Sequence, residues 1–234
     1  MGVYERQIKE KEILEAAQEL FSKKGFYLTK MDDVAKRANM SKGLIYFYFK
    51  NKEDLYMAIT QKAFEEIISL YQKSIQKNKA KKGIDIVIDF LSVFMDFNAK
   101  NHLYRDAIFH FLGLMKAHNN PKTKEGIDPL ILESPYFQKV LELQHEPTKL
   151  GISMISQGIR DGSIHKSIEP EMAYFTLWAL VIGFDKLSTF GDPQNNETLY
   201  KIKIEDWKNS ILSLAQAILK NEKSMQQAFQ ATLF

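Results

Sequence analysis

Apolar residues recur along most of this chain at the spacing of a helix. Ile13, Ala17, Leu20 and Phe21 fall at i, i+4, i+7 and i+8, while Glu10, Glu12, Glu15 and Lys23 fall elsewhere, which predicts a helix with one buried face. Gly25 marks its end. Thr29 stands three residues before Asp32, the spacing of an N-cap followed by an acid that complements the helix dipole. A short second helix follows from Met31 to about Ala38, with Met31, Val34, Ala35 and Ala38 inward. Ser41 is a strong N-cap residue for a third helix. From Glu53 a long helix places Leu55, Ile59, Ala63, Ile67, Leu70 and Tyr71 on one stripe and ends near residue 78.

Further helical patterns cover roughly Ile84–Ala99, Leu103–Ala117, Pro135–Leu143, Thr148–Arg160, Pro170–Phe190 and Ile204–Leu219. No convincing strand or hairpin interrupts them. "HNNPKTKEGIDP", His118 to Pro129, is the one long loop-like segment, and "GDPQNNET" at 191–198 is the next clearest connection. The fold class expected is all-α. Three helices joined by short turns in the first 50 positions give the outline of a helix-turn-helix.

The stretch "SKGLIYFYFKNKEDLY", residues 41–56, tests that outline. Its residues Ile45 to Phe49 are all β-branched or aromatic, and local propensity alone favours an edge strand or a buried helix. Wound on a helix starting at Lys42, they divide at 100° per residue. Ile45 and Phe49 fall on one side, flanked by Leu44 and Tyr48, while Lys42, Gly43, Tyr46 and Phe47 fall on the side that should be polar. The Ser41 cap, the short helix before it, and Lys50 and Lys52 after it fit a helix better than a hairpin. A glycine permits close approach, a lysine reaches phosphate or guanine, and aromatic rings pack on sugars or thymine methyls.

Charge adds to this picture. Residues 1–52 hold 11 Lys or Arg against 7 Asp or Glu, and the remaining positions balance at −1. All of the net positive charge is therefore N-terminal, as in a nucleic-acid-contacting module joined to a second domain with another task. The absence of cysteine excludes disulfides, thiolate metal sites and a cysteine nucleophile. With no signal-like terminus and no membrane-length apolar run, the expected location is cytoplasmic, without membrane contact.

Residues from about 8 to 56 resemble the DNA-binding domain of TetR/AcrR-type transcriptional regulators. The resemblance rests on "ILEAAQELFSKKGF", "LTKMDDVAKRANMSKG" and "LIYFYFKNKEDLY", in order and without gaps. "GIRDGSIHKSIEPEMA", residues 158–173, is similar to the segment before that family's dimer-forming helices. The resemblance implies two domains: residues 1–52 as the helix-turn-helix and 53–234 for effector binding and dimerisation. It implies a repressor that binds a near-palindromic operator in double-stranded DNA as a homodimer and is released by a hydrophobic small-molecule effector.

Carried over position by position, Lys42, Gly43, Tyr46 and Phe47 would enter the major groove. Thr29, Lys30, Tyr48 and Lys52 would mainly hold phosphates, with the helix-start amides behind Thr29 and Ser41 adding to an anion site. Leu44 stands where the family often has a small polar residue and removes a hydrogen bond there. Phe90, Phe94, Phe97, Tyr104, Phe109, Met115, Met154 and Trp178 are the pocket candidates, and Phe184, Leu187, Ile211, Leu214, Ala215 and Ile218 the dimer candidates. Their alternative is ordinary core.

An enzyme is not expected. His102, His110 and His118 recur every eight residues and so spread over different helix faces, and "HEP" at 145–147 lacks the second histidine of a zinc-protease helix. Neither cofactor nor metal is implied. The competing reading is a helical adaptor of the same fold that binds a protein partner through Leu44 and Phe47.

Overall fold

The computed structural model describes residues 3–78, 80–189, 196–198 and 201–221. The expected connection at 191–198 lies largely outside the described residues, as does Phe190. The helices are α1 (Val3–Leu28), α2 (Met31–Arg37), α3 (Lys42–Tyr48), α4 (Lys52–Lys77), α5 (Gly83–Lys100), α6 (His102–His118), α7 (Pro121–Lys124), α8 (Pro129–Leu132), α9 (Pro135–Leu143), α10 (Glu146–Arg160), α11 (Pro170–Ser188) and α12 (Ile204–Lys220). One isolated bridge, Glu197 to Lys203, is the sole β pairing among the described residues. The all-α expectation therefore holds. The loop expected over 118–129 contains α7, and α8 begins at its end. Both short helices start with proline at the first position, behind the caps Asn120 and Asp128, where the missing amide costs nothing.

Two compact units are present. One comprises Met1–Glu66 and Asn101–His145, the other Ile67–Lys100 and Glu146–Phe234. This division differs from a single cut after residue 52, because α6 and α9 contribute to the core beneath the helix-turn-helix. That core gathers Ile13, Ala17 and Phe21 of α1, Val34 of α2, Ile45 and Phe49 at α3, Leu55 and Ile59 of α4, Phe111 of α6, and Phe137 and Val140 of α9. Each large side chain so buried is worth about 1.5–3 kcal/mol. Gly25, with φ 77° and ψ 166°, breaks the α1 geometry in a region that L side chains rarely adopt, so the chain changes direction before α2.

In the second unit α5 packs against α10, α11 and α12. The start of α5 is held closely. Asp161, just after α10, accepts from the Gly83 amide at 2.6 Å, and Ser163 Oγ accepts from the Ile84 amide at 3.0 Å. Side-chain donation by Ser163 and the backbone amides hold the Asp161 carboxyl below its usual range. A Cβ on Gly83 would overlap the Gly158 backbone, so glycine is required for this approach. Residues 158–163 of the "GIRDGSIHKSIEPEMA" segment thus form the seat of α5.

Candidate functional site

Helix α3, expected from the sequence to face DNA, has only seven residues and depends on its surroundings, since an isolated helix this short is unstable in water. Ser41 caps it, its Oγ accepting from the Leu44 amide at 3.2 Å. The turn before it passes through Asn39 in the left-handed region, φ 54°, where asparagine is tolerated. Ile45 and the C-cap residue Phe49 are fully buried. On the opposite side Tyr46 is 42% and Phe47 66% exposed, Lys42 is exposed and Leu44 is half-buried. A Cβ on Gly43 would meet nothing within 4 Å, so the fold itself does not demand glycine there.

Lys42 Nζ lies 2.8 Å from Asp32 Oδ1 and 5.9 Å from the Tyr46 ring centroid. Its ammonium is held above its usual pKa, mainly by the hydrogen bond to Asp32. Asp32 went unremarked in the sequence as a member of this face; its spacing suggested only a dipole-complementing acid. The structure gives the capping role to Asp33, whose carboxylate accepts from the Lys30 amide at 3.3 Å.

Two expected phosphate ligands are engaged within the fold. Thr29 is 1% exposed and donates its hydroxyl to the Gly25 carbonyl at 2.8 Å. The N-cap of α2 is Lys30, so Thr29 neither caps that helix nor presents its side chain outward. Lys52 Nζ donates to the Phe26 carbonyl at 2.9 Å and sits 4.3 Å from the Phe26 ring centroid, stapling the end of α1 to the start of α4. Tyr48 is half-buried with its ring edge against Phe47. Lys30 and Lys50 are exposed near Lys42 in sequence. The start of α4 carries a cap that the sequence reading passed over: Asn51 Oδ1 accepts from the Asp54 amide at 2.7 Å, and Asp54 Oδ2 from the Lys50 amide at 3.2 Å. The spacing Asn-x-x-Asp was the available signal.

The second unit holds a small cavity of about 30 Å³ lined by Phe90, Phe94, Met154 and Trp178 together with Tyr71, Gly151, Ile155, Tyr174 and other apolar side chains. Tyr71 and Phe90 stack with centroids 3.8 Å apart. Burial pushes the Tyr71 and Tyr174 phenols upward, so both are neutral hydrogen-bonding groups in an apolar setting. Four pocket candidates lie elsewhere. Tyr104 accepts from Gln18 in the first unit at 3.0 Å, Met115 packs against that unit's core, Phe109 is half-buried on the same helix, and the half-buried Phe97 of α5 does not line the cavity. Helical periodicity located their apolar stripes but not the partners those stripes meet.

The dimer candidates also divide. Phe184 packs on Trp207, centroids 5.0 Å apart, and Ala215 is fully buried; both serve the core of their own unit. Leu187 is 57% exposed, and Ile211, Leu214 and Ile218 are half-buried. α11 additionally exposes Met172 and Phe175. A helix apolar on both sides has a second surface to cover. Among the described residues no group of three or more His, Asp or Glu side chains could hold a metal ion, and no helix is long and apolar enough to cross a membrane. His110 lies edge-on to Tyr56, and burial lowers its pKa.

The sequence profile of bacterial regulatory proteins, tetR family, matches residues 13–59. The chain is 32% identical over 175 residues to the uncharacterised HTH-type transcriptional regulator YhgD of Bacillus subtilis, spanning 74% of this chain and 81% of that protein. It is 32% identical over 83 residues to the biofilm operon icaADBC HTH-type negative transcriptional regulator IcaR of Staphylococcus aureus, 36% of this chain and 44% of that one. The chain belongs to the TetR family of transcriptional regulators, whose members carry a helix-turn-helix DNA-binding domain and are not enzymes. The crystal structure of the regulator FadR from Bacillus subtilis in complex with stearoyl-CoA shares its fold, with TM-score 0.60 at 19% identity, covering 88% of this chain and 97% of that one.

Proposed function

We propose that this regulator is a homodimeric repressor that reads a near-palindromic operator through the outward face of α3 and leaves it when a hydrophobic effector occupies the second unit. The observation that carries the DNA reading is the exposure of Tyr46 and Phe47 beside Lys42 and Gly43 on a helix whose other side buries Ile45 and the C-cap residue Phe49. Large aromatics exposed together on a short helix mark a surface that meets a partner, and the lysine gives that partner negative charge. Lys30 and Lys50 supply further positive charge for phosphates. On this reading residues 1–52 hold the DNA contacts, and residues 53–234 bind effector and dimerise. The exposed apolar residues of α11 support a two-fold interface, and a two-fold dimer places its recognition helices roughly 34–36 Å apart, one turn of duplex.

The cavity supports the effector reading in a particular form. About 30 Å³ is room for roughly one water, whereas drug-sized ligands occupy roughly 300–1,000 Å³. An effector therefore enters by separating the Tyr71–Phe90 stack and the helices behind it, so that binding and displacement of helices are one event. The names of relatives agree with both halves: IcaR is a negative regulator, and FadR was crystallised with stearoyl-CoA.

Selection of duplexes from random DNA tests the reading. Enrichment of a near-palindrome is expected, bound as a dimer, with log affinity falling steeply against log salt. Substituting Lys42 and Tyr46 together by alanine at fixed salt should abolish the preference for that duplex. A protein-binding adaptor would show no preferred duplex to lose.

A further inference from the structure

Helix α9 lies far downstream of residues 13–59, which match the tetR profile, yet it closes the core directly beneath the recognition helix. Phe137 and Val140 are fully buried in that core. Between this core and the helix-turn-helix stands Tyr136. Its ring stacks on Phe49, centroids 5.7 Å apart and planes inclined by 24°, and its hydroxyl donates to Glu10 Oε1 at 3.0 Å. One side chain thus ties the C-cap of α3 to α1.

The placement of Tyr136 is itself fixed. Pro135 occupies the first position of α9, and the buried Ser134 caps it, its Oγ accepting from the Tyr136 amide at 3.3 Å. Lys139 covers the ring, its Nζ 5.4 Å from the centroid. The recognition helix is buried fully only at Ile45 and, at its C-cap, Phe49, with the half-buried Tyr48 packed against the same core. Phe49 follows Tyr46 and Phe47 by less than one turn, so a shift at Phe49 rotates the exposed face. Contacts to phosphates tolerate such a rotation, since charge attraction is broad in angle; contacts to base edges do not.

We infer that Tyr136 is a positioning residue for DNA recognition, holding the end of α3 at the angle from which Lys42, Tyr46 and Phe47 reach bases. The inference rests on the proposal that α3 reads duplex DNA. Its signature is a loss of sequence preference without a loss of general DNA attraction.

The test uses the full chain and two duplexes, one selected and one of random sequence, with amide exchange of residues 42–50 followed in parallel. Tyr136→Leu should weaken the selected duplex on the order of tenfold, comparable to losing one good base contact. The random duplex and the salt slope, set by phosphates, should stay within about twofold. Exchange over 42–50 should quicken while that of residues 150–160 stays unchanged. Tyr136→Phe, which keeps the stack and loses only the hydrogen bond to Glu10, should weaken the selected duplex by about two- to threefold. Should Tyr136→Leu fail to fold, Glu10→Ala removes the hydrogen bond alone and should show the same pattern at about two- to threefold, as expected for a single bond. Equal weakening on both duplexes, or unchanged exchange over 42–50, overturns the inference. If the wild type prefers no duplex, the DNA reading fails and a role of Tyr136 in DNA recognition fails with it, while exchange separates the two failures: faster exchange confined to 42–50 in Tyr136→Leu keeps Tyr136 as the anchor of α3, and unchanged exchange removes that anchor as well.

Discussion

Phe47 and Phe90 put the same side chain to opposite uses. Phe47 stands on a seven-residue helix with its ring mostly in solvent, next to Lys42 and Tyr46. Phe90 stands on a long helix in the second unit, buried between Tyr71 and Phe94, with a cavity of about 30 Å³ beside it. An exposed aromatic costs hydration free energy in the absence of a partner, so its surface is available for binding at once. A buried, stacked aromatic is already satisfied, and anything that takes its place must offset the contacts it breaks. On the proposed function the DNA-facing surface is preformed, whereas the effector site must be opened.

The largest expected effect separates the two faces of α3. Phe49→Ala removes a fully buried ring from the core shared by α1, α4, α6 and α9, and should cost about 3–5 kcal/mol of unfolding free energy. Phe47→Ala, two residues away, should change stability by about 0.5 kcal/mol or less while weakening the selected duplex by roughly tenfold. Denaturant unfolding and duplex titration on the same samples check both. If Phe47→Ala destabilises as much as Phe49→Ala, the outward face is not a free binding surface.

In the second unit the corresponding probe is Gly151→Ala. A Cβ at Gly151 would overlap the Tyr174 ring and approach the Tyr71 hydroxyl. Overpacking of this kind should cost about 1–3 kcal/mol, read as a lowered Tm with operator affinity retained. A variant as stable as wild type would mean that Tyr174 swings away easily, and that the cavity opens at lower cost than its size suggests.

The sequence made the first contrast legible and the second only in part. Ser41, the 100° rotation from Lys42 onward and the excess of lysine all lie within 12 residues, so a helical wheel separates Ile45 and Phe49 from Tyr46 and Phe47 without tertiary information. Thr29 misled because its spacing to Asp32 suits a cap, while the hydroxyl in fact donates back to the Gly25 carbonyl. The α5 and α6 aromatics looked alike because periodicity reports that a stripe is buried and not what buries it. Phe90 meets the cavity, and Tyr104 meets Gln18. Tyr136 was beyond local reasoning, since its partners Glu10 and Phe49 are brought to it by the fold alone.

A smaller effect is expected from the acid on the DNA face. Asp32 sits 2.8 Å from the Lys42 ammonium, so on the proposed function the lysine exchanges this partner for DNA, and the freed carboxylate then faces phosphates of its own sign. Asp32→Asn should tighten binding to random-sequence duplex by about threefold to tenfold at low salt, a change of the size that one unscreened surface charge supplies. At high salt the difference should close. Anisotropy titrations across a salt series decide it, and unchanged affinity at low salt would show that Asp32 does not oppose DNA.

The smallest expected effect concerns an acid of the same unit that serves the fold instead. Glu19 of α1 pairs with Arg37 at the end of α2 and with Lys23, 2.7 Å away. The hydrogen bond from Arg37, then that from Lys23, lowers its pKa from 4.5 to about 2. A carboxylate depressed in the folded state binds its proton more weakly there than in the unfolded chain, so it stabilises the fold above pH 4.5 and loses that contribution as pH falls toward 2. Because the half-buried Glu19 still has 32% of its side chain open to solvent, screening keeps the contribution small. Wild type should therefore exceed Glu19→Gln in Tm by a modest margin near neutral pH, and the two melting curves should converge as the pH is lowered toward 2. Random-duplex affinity should be the same for both, in contrast to Asp32→Asn, because Glu19 neutralises Arg37 and Lys23, not the lysine of the recognition face. A Glu19→Gln variant that tightened on DNA as Asp32→Asn does would mean that net charge of the head, and not the position of Asp32 beside Lys42, sets its attraction to duplex.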